Sequence, residues 1–140
     1  MANIVPDSFK EELFEAIHDF TASTCDTFKL ALYTTVSGFS TGTTAYSTTN
    51  ETSGTGYSAG GATLVNISPT VSANVAFIDF NDVTFSTATI SASCALIYNT
   101  TNSGKAVVVL DFGSTVTSTN GDFTIQFPAA NSTSAILRIS

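Results

Sequence analysis

The chain has 140 residues, 43% of them apolar and only 11% charged, with 11 acids against four bases and a formal net charge of −7. That length suits one domain with a real core, and a charged fraction less than half the roughly 25% of an average soluble domain leaves too few cations to neutralise a nucleic-acid backbone. No run of 18 apolar residues marks a membrane span, and the start "MANIVPDSFKEEL" lacks the basic and apolar regions of an export signal, so the expectation is a protein made in a cytoplasm, with neither nucleic acid nor membrane as partner.

The acids crowd the beginning: Asp7, Glu11, Glu12, Glu15 and Asp19 fall close together, while positions 21–140 hold nine charges of either sign. "PDSFKEELFEAIHDF" predicts a helix, with Pro6 before it, Ser8 and Glu11 at capping-box spacing and acids in the first turn, where the helix dipole favours them. Phe9, Leu13, Ala16, Ile17 and Phe20 recur at helical spacing and form one apolar stripe opposite a Glu/Asp face. A helix of about 13 residues is marginal alone in water, so it must dock on its own domain or on a neighbour. Phe9, Leu13, Ile17 and Phe20 are therefore the candidate assembly interface, on a helical arm expected over residues 1–27.

From residue 28 the period changes to two. "FKLALYTT" puts Phe28, Leu30 and Leu32 on one face, and "GATLVNI", "VAFIDF", "TISASCALIY", "KAVVVLDF", "FTIQF" and "AILRI" follow, separated by Ser, Thr, Asn and Gly clusters. In "TISASCALIY" the alternate set Ile90, Ala92, Cys94, Leu96 and Tyr98 is apolar, while Ser91 and Ser93 face away. About seven or eight strands and no intervening helix predict an all-β fold over residues 28–140, an antiparallel β-sandwich, jelly-roll-like or immunoglobulin-like, with one N-terminal amphipathic α-helix.

Several short patterns imitate chemical motifs. Gly54, Gly56 and Ala59 match the G-x-G-x-x-G/A dinucleotide turn, with Asp79 about 20 positions on, but a strand-like segment follows where the fingerprint needs a helix. Gly38, Ser40 and Gly42 match the nucleophile elbow, yet the only histidine, His18, precedes Ser40 instead of following it. His18 and Cys25 are read as a helix-end residue and a buried thiol, not as base and nucleophile. Asp79, Asn81 and Asp82 supply oxygens but no complete calcium loop. Cys25 and Cys94, without a C-x-x-C, are expected as free thiols. No enzyme, cofactor or metal site is expected. Tyr46 and Tyr57, in polar loop context, are the candidate surface contacts, as stacking platforms for a sugar.

A neutral, Ser/Thr-rich sandwich lacks the charges that natural sheets use to protect their edges, which points to assembly and a homo-oligomer. The order of segments "SFKEELFEAIHDF", "TFKLALYT", "TTAYSTTNETSGTGYSAGGATL", "ALIYN", "AVVVLDFG" and "FTIQFPAANSTSAILRI" resembles a family of small virion structural proteins of tailed bacteriophages. At Ser93 and Cys94 the chain departs from the basic residue and glycine that the family pattern implies. The resemblance implies a non-enzymatic particle component, and the acidic charge, which packaged DNA would repel, puts it on the virion's outer surface. In that role it would be a capsid decoration (cement) protein bound to the major capsid protein or other virion proteins, or alternatively a tail- or fibre-associated protein contributing to host attachment.

Overall fold

Alternating apolar side chains bring two antiparallel sheets together. The computed structural model describes residues 3–140. Its elements are α1 (Asp7–Phe14), β1 (Phe28–Tyr33), β2 (Ala62–Thr63), β3 (Asn66–Ser72), β4 (Val75–Phe80), β5 (Val83–Asn99), β6 (Lys105–Ile125) and β7 (Leu137–Ile139). One sheet has the order β2-β1-β5-β6 and the other β3-β4-β7, and every pairing is antiparallel. The chain is thus an all-β sandwich with one short N-terminal helix, as its strand pattern predicts.

The period-two reading of β1 holds. Phe28, Leu30 and Leu32 are fully buried in one core with Phe80 of β4, Phe85 of β5 and Phe123 of β6. The opposite face of this sheet is buried as well. Ala31, Tyr33, Cys94, Leu96, Tyr98, Ala106 and Val109 form a second cluster, covered by Ile4, Val36, Phe39 and Tyr46. The loop over residues 34–61 therefore acts as a cover for a sheet that would otherwise expose an apolar face.

Strand β5 serves both cores by changing parity. Ile90 and Ala92 belong to the first core, but Cys94, Leu96 and Tyr98 belong to the second, while Ala95 and Ile97 take over the first. The switch sits where the register shifts: Ala92 faces Val116 but Cys94 faces Asp111, so residues 112–115 of β6 oppose Ser93 alone. Such a bulge re-aims every following side chain, and Gly113, at φ 77°, supplies the left-handed residue it needs. "TISASCALIY" is consequently not one alternating face. Two other segments differ from expectation. "GATLVNI" divides between the sheets as β2 and β3, and "KAVVVLDF" and "FTIQF" are two ends of the single strand β6.

The helix is shorter than its apolar period implies. It ends at Phe14, with Ile17 N–H donating to Glu12 O at 3.0 Å and Ala16 N–H to Leu13 O at 3.3 Å. These bonds, with Ala16 at φ 57°, form a Schellman stop in which alanine holds the place usually taken by glycine. Nor does the capping box form: Pro6 is the N-cap residue, and the Ser8 hydroxyl reaches Thr43 O instead, at 3.5 Å. After the stop the chain doubles back, so Ile17 and Phe20 are not on the helix.

That return decides where the apolar stripe goes. Phe9 packs edge-on to Phe20 at 6.2 Å, Phe20 stacks on Phe28 at 4.5 Å, and Phe28 meets Phe80 at 5.9 Å. Phe9 and Phe20 are 3% and 7% exposed, inside the chain's own core, and Leu13 packs half-buried against it. The candidate assembly interface is corrected accordingly: a stripe expected to meet a partner anchors the arm to its own sandwich, and Ile17 too is half-buried.

Because Ala16 is exposed and left-handed, Ala16→Gly should relieve backbone strain and stabilise the fold by about 1 kcal/mol. Chemical denaturation should show a higher midpoint with an unchanged slope. A lower midpoint would contradict the Schellman assignment.

Candidate functional site

Two clusters of polar side chains lie inside the fold. The first is organised by Glu12, 5% exposed, on the inner face of α1. Its Oε1 accepts from Lys105 Nζ at 2.8 Å and its Oε2 lies 2.7 Å from His18 Nε2. Behind His18, Asn99 is fully buried, with its Oδ1 taking the Asn102 N–H and its Nδ2 donating to Asp26 Oδ2 at 2.8 Å. This fixes the amide orientation, so Nδ2 also presents a hydrogen to His18 Nδ1 at 3.0 Å. His18 Nδ1 is then an acceptor, and the ring carries its proton on Nε2, aimed at Glu12. Asn102 completes the cluster by donating to Asp26 Oδ2 and to Ile17 O, both at 2.8 Å.

Both ring nitrogens of His18 are therefore engaged, and Cys25 is exposed. Burial opposes the charge on Glu12, but the hydrogen bonds from Lys105 and His18 and the positive charge of Lys105 outweigh it and hold the carboxyl below the ordinary carboxylate range. The matching effect on Lys105 is upward, from its hydrogen bond and charge contact with Glu12. The cluster locks the returning chain against the β5–β6 turn.

The second cluster gathers the tyrosines around Glu51. Tyr46 OH donates to Glu51 Oε2 at 2.6 Å and Tyr57 OH to Oε1 at 2.7 Å, while Gly60 N–H also reaches Oε1. Tyr57 OH accepts the Leu32 N–H, and Tyr98 OH donates to Gly60 O. Burial, followed by the neighbouring Glu51 carboxylate, raises all four tyrosine pKa values, those of Tyr33, Tyr46, Tyr57 and Tyr98. Tyr46 stacks on Tyr98 at 4.5 Å and Tyr57 packs against Phe85. The two rings expected as surface platforms are framework residues, tied by their hydroxyls to one carboxylate.

The glycines of the dinucleotide-like stretch serve close approach of chains. A Cβ on Gly54 would stand 2.2 Å from Thr89 O and one on Gly61 1.8 Å from Leu30 O, so the loop presses directly on β5 and β1. In the elbow-like stretch, Ser40 Oγ accepts the Gly42 N–H and closes its own turn. Asp79 and Asp82 serve different places. Asp79 is 1% exposed with Oδ1 on the Phe80 N–H and Oδ2 unpartnered, and Asp82 Oδ1 accepts the Phe127 N–H. Burial raises the Asp79 pKa. Among the described residues no group of three or more His, Cys, Asp or Glu is placed to hold a metal.

The outward features are of another kind. On the exposed face of the β5–β6 hairpin, hydroxyls pair across the strands: Thr84 with Thr124 at 2.9 Å, Ser91 with Thr117 at 2.8 Å and Ser93 with Thr115 at 2.9 Å. β6 is the outermost strand of its sheet. Its beginning is covered by single bridges from Ala45 to Lys105 and from Ile4 to Val109, but beyond the bulge no described strand lies on its free flank. Phe14 is 95% exposed and Val116 44%. At the bulge a shallow recess of about 290 Å³ opens between Thr35, Val36, Ser93, Asp111 and Thr115. The sequence signal for the hydroxyl ladder is the recurrence of Ser and Thr at alternate positions in 84–93 and 115–124.

The chain matches no protein-family model, no curated protein and no solved structure.

Glu12 gives stability a defined pH dependence. Its folded pKa lies below the unfolded value, so its contribution is present above the unfolded pKa and is lost as pH falls through the folded one. Glu12→Gln should lose about 2 kcal/mol at neutral pH and lack that part of the acid limb in denaturation curves taken at stepped pH. An acid limb identical to wild type would contradict this role.

The thiols should also separate. Both are free, but Cys94 is buried and its pKa is pushed up to about 12 by burial and by the charge of Asp111, whereas Cys25 is exposed, not buried as the sequence suggested. A thiol reagent should label one cysteine in the native protein and two in denaturant. Rapid labelling of both in the native state would show that the second core opens readily.

Proposed function

We propose that the chain is a structural protein of a tailed-bacteriophage particle, a capsid decoration protein on the outer head surface that acts through buried area and not through chemistry. One observation carries the reading: the long outer hairpin presents a hydroxyl-paired face that ends in an uncovered edge strand. Natural sheets guard such edges with Lys, Pro or a covering segment. Residues 113–121, "GSTVTSTNG", have no Lys, no Pro and no charge. The segment itself sets no charge against an approaching copy, with Asp111 and Asp122 only at its two ends, so the strand suits contact between neighbouring copies in a layer. The engagement of Glu12, His18, Glu51 and the tyrosines in framework hydrogen bonds supports a binding role.

The partners on this reading are the major capsid protein or other virion proteins and further copies of the chain. Standard interfaces of roughly 1,200 to 2,000 Å² would hold such a layer. An outer position also suits the charge, since packaged DNA would repel an acidic chain from the interior. Tail- or fibre-based attachment loses its candidate contacts, because Tyr46 and Tyr57 are bound to Glu51.

Quantitative gel analysis of purified particles should give copies on the order of hundreds per head, following the capsid lattice, and antibody should label intact heads. A count of about a dozen or fewer, or label confined to the tail, would favour attachment, and absence from particles would overturn both.

A further inference from the structure

We propose that the outward face of α1 is a docking prong, with Phe14 as its anchor, for an apolar socket rimmed by basic residues on a different protein. This rests on the reading of the chain as an assembly component and assigns the surface by which it meets its support. Phe14 is an outlier among the aromatic residues. The chain has 11 Phe, and ten of them are buried or half-buried, whereas Phe14 is 95% exposed. Its position is not incidental to a loose loop. Phe14 is the last residue of α1, held by the Schellman stop behind it and by Glu12, two residues before it, which is fixed inside by Lys105 and His18. A rigidly presented, fully solvated aromatic ring carries an unfavourable hydration cost that burial in a partner would recover, and aromatic anchors of this kind dominate interface energetics.

The surroundings specify the occupant's charge. Asp7, Lys10, Glu11, Glu15 and Ala16 make up the rest of the exposed face. Asp7 and Lys10 neutralise each other at 2.7 Å, which leaves Glu11 and Glu15, one turn apart on the same helix face, as a negative flank beside Phe14. A complementary surface needs cations around an apolar pocket. A second copy cannot supply them. Of its four Lys and Arg, Lys10 pairs with Asp7, Lys105 with Glu12 and Lys29 is half-buried beneath Gly60, while the exposed Arg138, bonded to the neutral Thr133 O, is a single charge and not a rim. With a net charge of −7 on each copy, helix-to-helix contact between copies is also repulsive. The partner is therefore a different chain, and the helix face and the β6 edge divide the work: one meets the support, the other meets neighbours.

The test is add-back of the purified full chain to particles produced without it, read by co-sedimentation over a range of concentrations. Wild type should bind saturably. Phe14→Ala should bind at least about 30-fold more weakly with an unchanged melting temperature, since the ring touches nothing it stabilises, and Phe14→Leu should recover most of the affinity. Glu11→Lys with Glu15→Lys should slow association and remove its dependence on salt. If Phe14→Ala binds as wild type does, the prong is overturned while the particle role stands. If wild type fails to bind the particles, both are overturned. If Phe14→Ala instead changes the oligomeric state of the free protein, the occupant is a second copy and the proposal is overturned.

Discussion

The orientation of the N-terminal arm depends on one buried carboxylate. Glu12 is taken out of water only because Lys105 and His18 both meet it, one from the start of β6 and the other from the chain that returns after the helix stop. A charge buried without partners would cost several kcal/mol, so this pairing fixes which side of α1 is inside. Once Glu12 points inward, Phe9 follows into the core and Phe14 is turned to solvent. The network behind it, through Asn99, Asp26 and Asn102, extends the same constraint to the turn between β5 and β6. Fold and exposed face are consequences of the same set of bonds.

The sandwich solves a different problem. A sheet with one face on the main core and the other on a loop has apolar demands on both sides, and a strand with strict alternation can meet them only if the pairing allows it. β5 meets them by switching parity at Ser93, which costs one irregular stretch of β6 and lets Cys94, Leu96 and Tyr98 join Ala31 and Tyr33 under the cover loop. The cover is itself held by Glu51, whose carboxylate gathers Tyr46, Tyr57 and Gly60. Residues that look like loop decoration are thereby part of the second core.

Most of the strands were legible in the sequence because period-two burial is a local property: Phe28, Leu30 and Leu32 announce their face without reference to anything distant. The helix end was not, because its stop uses Ala16 where glycine would have been a signal, and the apolar stripe continues through Ile17 and Phe20 for reasons of core packing after the helix has ended. Tyr46 and Tyr57 were hidden although Glu51 lies only five and six positions away, because an irregular loop has no period to show which side chains converge. The destinations of Glu12 and His18 were hidden for another reason. Glu12 finds Lys105 and His18 finds Asn99 across more than 80 positions, and such pairs leave no mark in local spacing. Residues with a polar atom and a long-range partner look, in sequence, like surface residues.

The hydroxyl ladder on the outer hairpin divides the molecule by its response to the medium. Thr84, Ser91 and Ser93 hold their cross-strand partners by neutral bonds, which carry no charge for salt to screen and no proton to exchange in the ordinary range. Acid even favours the sheet interior at Asp79, whose buried carboxyl is easier to keep when protonated. The arm is the opposite case, since its anchor is ionic and weakens as Glu12 takes up a proton. A fall in pH would thus loosen the helix from a sandwich that keeps its shape.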